Sequence, residues 1–348
     1  MPRLRRPLRV ERPAVHHFTT DDGVELRLTR YRGGPRGPVL VVHCIGVSSG
    51  MYASDTIPTT LVEYLYERDY DIWLLDFRFS IELRASLRQS TFDDVALRDY
   101  PAAVASVREL AGVDSVQVVA HGVGSSTFTM AMLAGLDGVH SAVCSQVSTH
   151  LFIPFLNRLK TRLRMPSMLY GLGRRTLTAY VDRYSSWWSR PYDLGLRLYP
   201  VQGEERCDSR VCRRITVMYG ALYEHDRLSQ ATHAHLDEMF GVVNLRAFRQ
   251  LALISRVGHL VSARGADVYL PHVERLAIPI TFLHGAENEC VLPRSTAVTQ
   301  ELLSARNGAN LYRRHLIPDY GHVDCMIGEN ASNDVYPLIV EHLDATAR

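Results

Sequence analysis

Gly122 stands where a reacting side chain is expected. The stretch Val116–Ser126 reads VQVVAHGVGSS: a β-branched apolar run breaks into a tight glycine-bearing turn and then opens a helical pattern over Thr127–Leu136. In a G-x-S-x-G turn between strand and helix, the strained central residue lifts its side chain beside the helix N-terminus, ready to attack a carbonyl. Ala120 and Gly124 meet the packing demands of such a turn, but its centre, Gly122, offers neither hydroxyl nor thiol. A phosphate cradle is the other use of such a turn. It would need a Lys then Ser or Thr after the glycines, or a third glycine and a later acid, and neither pattern is present.

Partners for that turn follow in the order acid, then histidine. After the apolar run Ile278–His284 comes GAENEC, which puts Asn288 in the carboxylate slot with Glu287 and Glu289 as alternative partners. After Leu311–Ile317 comes PDYGHVDC, and His322 is the candidate acid or base. An amide can orient an imidazole, as in Cys-His-Asn sites, but cannot stabilise an imidazolium by charge. A thiol needs that help less than a hydroxyl does, so Asn288 is the partner expected beside a cysteine. Upstream, Pro38–Cys44 runs into HCIGVSSG, a loop placed to give one backbone N–H to an oxyanion hole. Ile45 and Val123 are the candidate amides. His43, Cys44, His121, Trp187, Trp188 and Tyr219 are expected to line a substrate pocket, with Ser125 standing behind it.

The elements that must position these residues alternate. Val24–Tyr31, after the turn signal Asp21-Asp22-Gly23, reads as one arm of an antiparallel edge hairpin. Pro38–Cys44, Tyr70–Phe77, the Val116 run and Val139–Gln146 are continuous apolar strands of the kind buried on both faces of a parallel sheet. Helical spacing over Thr59–Arg68 and Asp94–Leu110 separates them, which predicts an α/β, doubly wound, mostly parallel sheet. The alternation stops between about His150 and Arg275, a segment rich in Leu, Met, Tyr and Trp. The expected organisation is a basic flexible tail over 1–15, a core over 16–149 and 276–348, and a helical lid inserted over 150–275. A lid with so much apolar surface implies a lipophilic small-molecule substrate.

Composition narrows the function classes. A formal net charge of +2 over 348 residues, with basic residues dispersed beyond Arg3–Arg12, gives no reason to expect nucleic acid. No run of about eighteen apolar residues and no hydrophobic signal core occur, so stable membrane insertion is not expected and a cytoplasmic location is. The six cysteines are scattered. Cys207 and Cys212 could close a small loop, but zinc would need two further ligands, and no obvious pair appears in the sequence; neither metal nor cofactor is expected. The chain should act as a monomer or homodimer.

The stretches LTRYRGGPRGPVL, YDIWLLDFRFSI, AHGVGS, MAMLAGL, SAVCSQV, HGAENECVLP and YGHVDC resemble the α/β-hydrolase domains that accompany, or are fused to, cholesterol-oxidase-like (GMC) flavin oxidoreductases of bacteria. The resemblance covers about residues 16–345. Its members usually read AHCVGS, which implies a cysteine nucleophile where this chain has Gly122, and a glycine-rich HGxG loop where this chain has Cys44 in second place. Neither a flavin domain nor a flavin is expected. Three functions are compatible. The first is a cofactor-independent enzyme that cyclises, eliminates or rearranges a lipophilic natural-product or sterol-like molecule by acid/base catalysis. The second is an esterase, thioesterase or lactonase whose nucleophile at 122 has been replaced deliberately, and the third is a ligand-binding protein that has lost the reaction.

Overall fold

The computed structural model describes residues 5–179, 207 and 209–348. Eight strands form one sheet: β1 (Ala14–Thr19), β2 (Glu25–Arg32), β3 (Arg36–Val42), β4 (Tyr70–Asp76), β5 (Val116–His121), β6 (Val139–Ser145), β9 (Ile280–Gly285) and β10 (Tyr312–Ile317), in the order β1-β2-β4-β3-β5-β6-β9-β10. Between β6 and β9 lie two further strands, β7 (Thr176–Thr178) and β8 (Val242–Asn244), which pair antiparallel apart from the main sheet. β1 and β2 are the antiparallel edge, and β4, β3, β5, β6, β9 and β10 run parallel. Every residue of β4 and β5 is buried, because helices cover both faces. Alternate residues serve opposite cores: Leu40, Val42, Val118 and Ala120 enter one, and Val39, Val41 and Val119 the other.

Two expectations change. The N-terminal segment expected to be a solvated tail is fastened from Arg5 onward. Arg6 forks onto Glu63 through both guanidinium nitrogens, the Arg9 amide donates to Glu63 at 2.8 Å, and Arg5 pairs with Asp55. The physical reason is Glu63, a buried carboxylate that needs a countercharge. The lid, expected to be helical, also contains the β7–β8 pair, in which short β-branched and Thr-containing runs find each other over a long sequence separation. Among the described residues no helix is long and apolar enough to cross a membrane.

Candidate active site

The elbow forms as its sequence demands. Gly122 sits at φ 56° and ψ −123° between β5 and the helix Val123–Ala134, a backbone conformation that costs any residue with a Cβ. Gly124 is needed for a different reason: a Cβ there would lie 2.4 Å from the His43 carbonyl oxygen, so only glycine lets this helix close on the loop after β3.

Cys44 occupies the space that the elbow residue leaves. A Cβ built on Gly122 would fall 2.5 Å from Cys44 Sγ and 2.9 Å from His322 Nε2. The Val123 N–H donates to Cys44 Sγ at 3.4 Å. Thus the Val123 amide, one of the two expected to form an oxyanion hole, is engaged by a thiol, and the chain carries its sulfur on the loop after β3 rather than on the elbow. Burial pushes the Cys44 thiol up to about 11, against the opposite pull of the Val123 and Ile45 amides.

His322 is held by Asn288, with Glu287 and Glu289 exposed to either side. The direction of that bond matters. Asn288 Oδ1 accepts from the Cys290 and Val291 amides, both at 2.9 Å, so the amide nitrogen must face the other way. Asn288 Nδ2 then donates to Gln146 Oε1 at 2.8 Å and to His322 Nδ1 at 3.0 Å. An imidazole that accepts at Nδ1 carries its proton on Nε2, so His322 points an N–H toward the elbow rather than a lone pair. Burial, reinforced by His121 and His284, drives its pKa well below the ordinary imidazole value and keeps the ring neutral.

Gln146, which the sequence reading missed, anchors this arrangement: Oε1 also accepts the Gly285 amide and Nε2 donates to the His322 carbonyl at 3.1 Å. Its left-handed backbone, φ 75°, is the only local sign of a special role, and the sequence does not display it.

The remaining expected residues divide. Tyr219, at the end of the lid helix Arg210–Tyr219, does reach the site: a Cβ on Gly46 would lie 2.1 Å from its hydroxyl, which is buried without a hydrogen-bond partner among the described residues. His43 does not line the pocket. It is fully buried, stacks on Phe77 at 4.4 Å and bonds the Cys44 carbonyl through Nδ1, because the loop folds back over it. His121 is also fully buried; Nδ1 faces Ser145 Oγ at 3.1 Å and its ring lies 5.0 Å from that of His322, so it packs behind the histidine. Ser125 turns its hydroxyl to the Val147 carbonyl. Trp187 and Trp188 lie outside the described residues. Beside Tyr219 and Cys290 opens a cavity of about 380 Å³ walled by Leu151, Leu169, Met218, Phe248 and Leu251. The expectation that Cys207 and Cys212 lack further metal ligands is corrected: His225 and His233 fold beside them, from positions whose spacing matches no common motif.

Comparison with known proteins agrees with this fold. Lipase 1 of Drosophila melanogaster is 27% identical over 126 residues, and the match spans 33% of this chain and only 28% of that protein. A soluble variant of the Saccharomyces cerevisiae monoglyceride lipase, solved with a substrate analogue, has TM-score 0.60 at 13% identity, covering 100% of this chain and 99% of that one. An esterase of Pyrococcus furiosus has TM-score 0.55 at 12% identity, covering 99% and 98%. At such identities the structural likeness is one of fold. A family model described as alpha/beta hydrolase fold matches residues 37–329. Because that match runs from β3, ahead of the loop that carries Cys44, to beyond His322, the chain belongs to the alpha/beta hydrolase fold family.

Proposed function

We propose that the protein hydrolyses an ester, thioester or lactone of a lipophilic small molecule, with Cys44 Sγ as the attacking atom in place of a side chain at 122. The observation that carries this reading is the sulfur in the elbow's space, bonded by the Val123 amide and beside His322 Nε2. The esterases and lipases that share the fold, and the apolar cavity against Tyr219, support it. The thiol loses its proton to solvent, and the thiolate bonds the carbonyl carbon. Collapse breaks the bond to the leaving oxygen or sulfur, which water protonates, and a second water cleaves the acyl-sulfur bond. The neutral His322 Nε2–H and the unpartnered Tyr219 hydroxyl are the donors available to the carbonyl oxygen as it gains charge, a role that a neutral imidazole can fill.

Asn288 favours a second reading. By fixing the proton on Nε2 it denies His322 the lone pair of a general base, so the site polarises a carbonyl better than it deprotonates a thiol. A cyclisation, elimination or rearrangement without a covalent intermediate would then use His322 and Tyr219 alone. Two variants assayed on p-nitrophenyl esters separate the readings. Cys44→Ala should lower turnover by about a hundredfold or more if sulfur attacks. Asn288→Asp should raise it by about a hundredfold or more at neutral pH, since a carboxylate restores the Nδ1–H form and the wrong form is known to be very costly in a serine triad. Full activity in Cys44→Ala would discard the thiol mechanism.

A further inference from the structure

Away from the elbow, the lid segment brings four metal-ligating side chains to one point. Cys207, Cys212, His225 and His233 each present a ligand atom, and all four atoms lie within 4.8 Å of one another. Cys207 Sγ is 3.4 Å from His233 Nε2, and Cys212 Sγ is 3.2 Å from His225 Nε2. A tetrahedral ion with zinc–sulfur bonds near 2.3 Å and zinc–nitrogen bonds near 2.0 Å has ligand-to-ligand edges of roughly 3.3–3.8 Å, so little movement separates this cluster from a filled site. Neither cysteine is in a disulfide.

We propose that these residues form a structural zinc site, Cys2His2, with ligands spaced C-x4-C-x12-H-x7-H. Two thiolates and two imidazoles suit a borderline-soft ion and exclude calcium and magnesium, which take oxygen. Four protein ligands leave no open position for substrate, so the ion braces the fold and performs no chemistry. The surroundings are those of a ligand shell: the Ser209 amide donates to Cys207 Sγ at 3.3 Å, and the Tyr223 hydroxyl lies 2.9 Å from Cys212 Sγ. The ligands come from a loop, the first turn of the helix Arg210–Tyr219, the turn His225–Arg227 and the helix Gln230–Ala234. One ion would therefore tie together four pieces of this segment, which also share a buried apolar cluster through Ile215, Leu222, Leu228 and Leu236.

The tie reaches the active site. Between the second and third ligands, the Leu222 carbonyl accepts the amides of His322 at 2.9 Å and Val323 at 2.8 Å, and the Glu224 amide donates to Asp324 at 3.2 Å. The loop that the zinc clamps is thus the one that seats His322.

The test uses the full-length protein purified without chelator or added metal. Elemental analysis should find one zinc per chain. After chelation under reducing conditions, Co2+ titration should end at one equivalent, with a thiolate-to-metal charge-transfer band and the intense visible bands of a tetrahedral S2N2 site. Chelation should lower the melting temperature, and added Zn2+ should restore it. Cys212→Ser and His233→Ala should each abolish stoichiometric binding, and the wild-type cobalt spectrum stands as evidence even if a variant fails to fold. Substoichiometric zinc together with a pale octahedral cobalt spectrum would overturn the proposal, as would a Cys207–Cys212 disulfide in the purified protein or unchanged binding in both variants.

Discussion

In the proposed reaction the Cys44 thiol must lose its proton before it attacks, and burial pushes its pKa up to about 11. Below that value the thiolate fraction rises tenfold with each pH unit, so kcat/KM for an activated ester should climb steadily from pH 7 to 10. His322 is neutral throughout, its pKa being driven well below the usual imidazole value by burial and by His121, so no inflection should appear near pH 6.5. A pH–rate profile with a plateau from pH 7 would contradict this assignment. Gly122 makes a second prediction at the same scale. Gly122→Ala puts a Cβ 2.5 Å from Cys44 Sγ on a backbone with φ 56°, so the sulfur must leave its place. We expect a loss of about 1–3 kcal/mol in chemical unfolding and of most of the proposed ester hydrolysis. The vacancy at 122, the loop after β3 and the position of His322 are all legible, because each lies at a strand end marked by glycine. What fills the vacancy is not, since the approach of β3's loop to the elbow is a tertiary distance that no spacing encodes.

Among the elements, the helix Leu61–Tyr66 fastens the N-terminal segment to the core. Thr60 and Glu63 form a reciprocal capping box, and the same carboxylate receives Arg6 and the Arg9 amide. Burial alone would raise the Glu63 pKa, but the Arg6 guanidinium with the Thr60 and Arg9 amides outweighs it and holds the group at about 2. A carboxylate depressed on folding contributes stability that is complete above its unfolded pKa, 4.5, and is lost as pH falls toward 2. Glu63→Gln should therefore lower stability by about 1–3 kcal/mol at neutral pH and flatten its decline between pH 4.5 and 2, as read by denaturant melts. Strands and helices of the core were readable from period and from β-branched runs. The N-terminal arginines were not, because fastening depends on a carboxylate about fifty residues further along.

Across the whole molecule, the insertion between β6 and β9 brings Tyr219 over the loop after β3 and encloses an apolar cavity beside it. Ligand sites in open parallel sheets lie at the carboxyl ends of the strands, and the cavity is where this topology places it. Leu169→Trp should fill part of that volume, raising KM for decanoyl esters severalfold while leaving acetyl esters nearly unchanged. Equal effects on both would detach the cavity from the acyl chain. That a segment is inserted between β6 and β9 is legible from the break in alternation after His150. Its internal order is not, because its tie points, Cys207, Cys212, His225 and His233, and the β7–β8 pair are long-range meetings of short segments.

Everything proposed for the reaction turns on which atom bonds the acyl carbon. The direct measurement is a peptide map by mass spectrometry of protein quenched with acid during turnover of a p-nitrophenyl ester at alkaline pH. The account predicts an acyl mass on the peptide that contains Cys44, absent from Cys44→Ala. Turnover that persists in Cys44→Ala, with no acyl group on any Cys44 peptide of the parent protein, would contradict it.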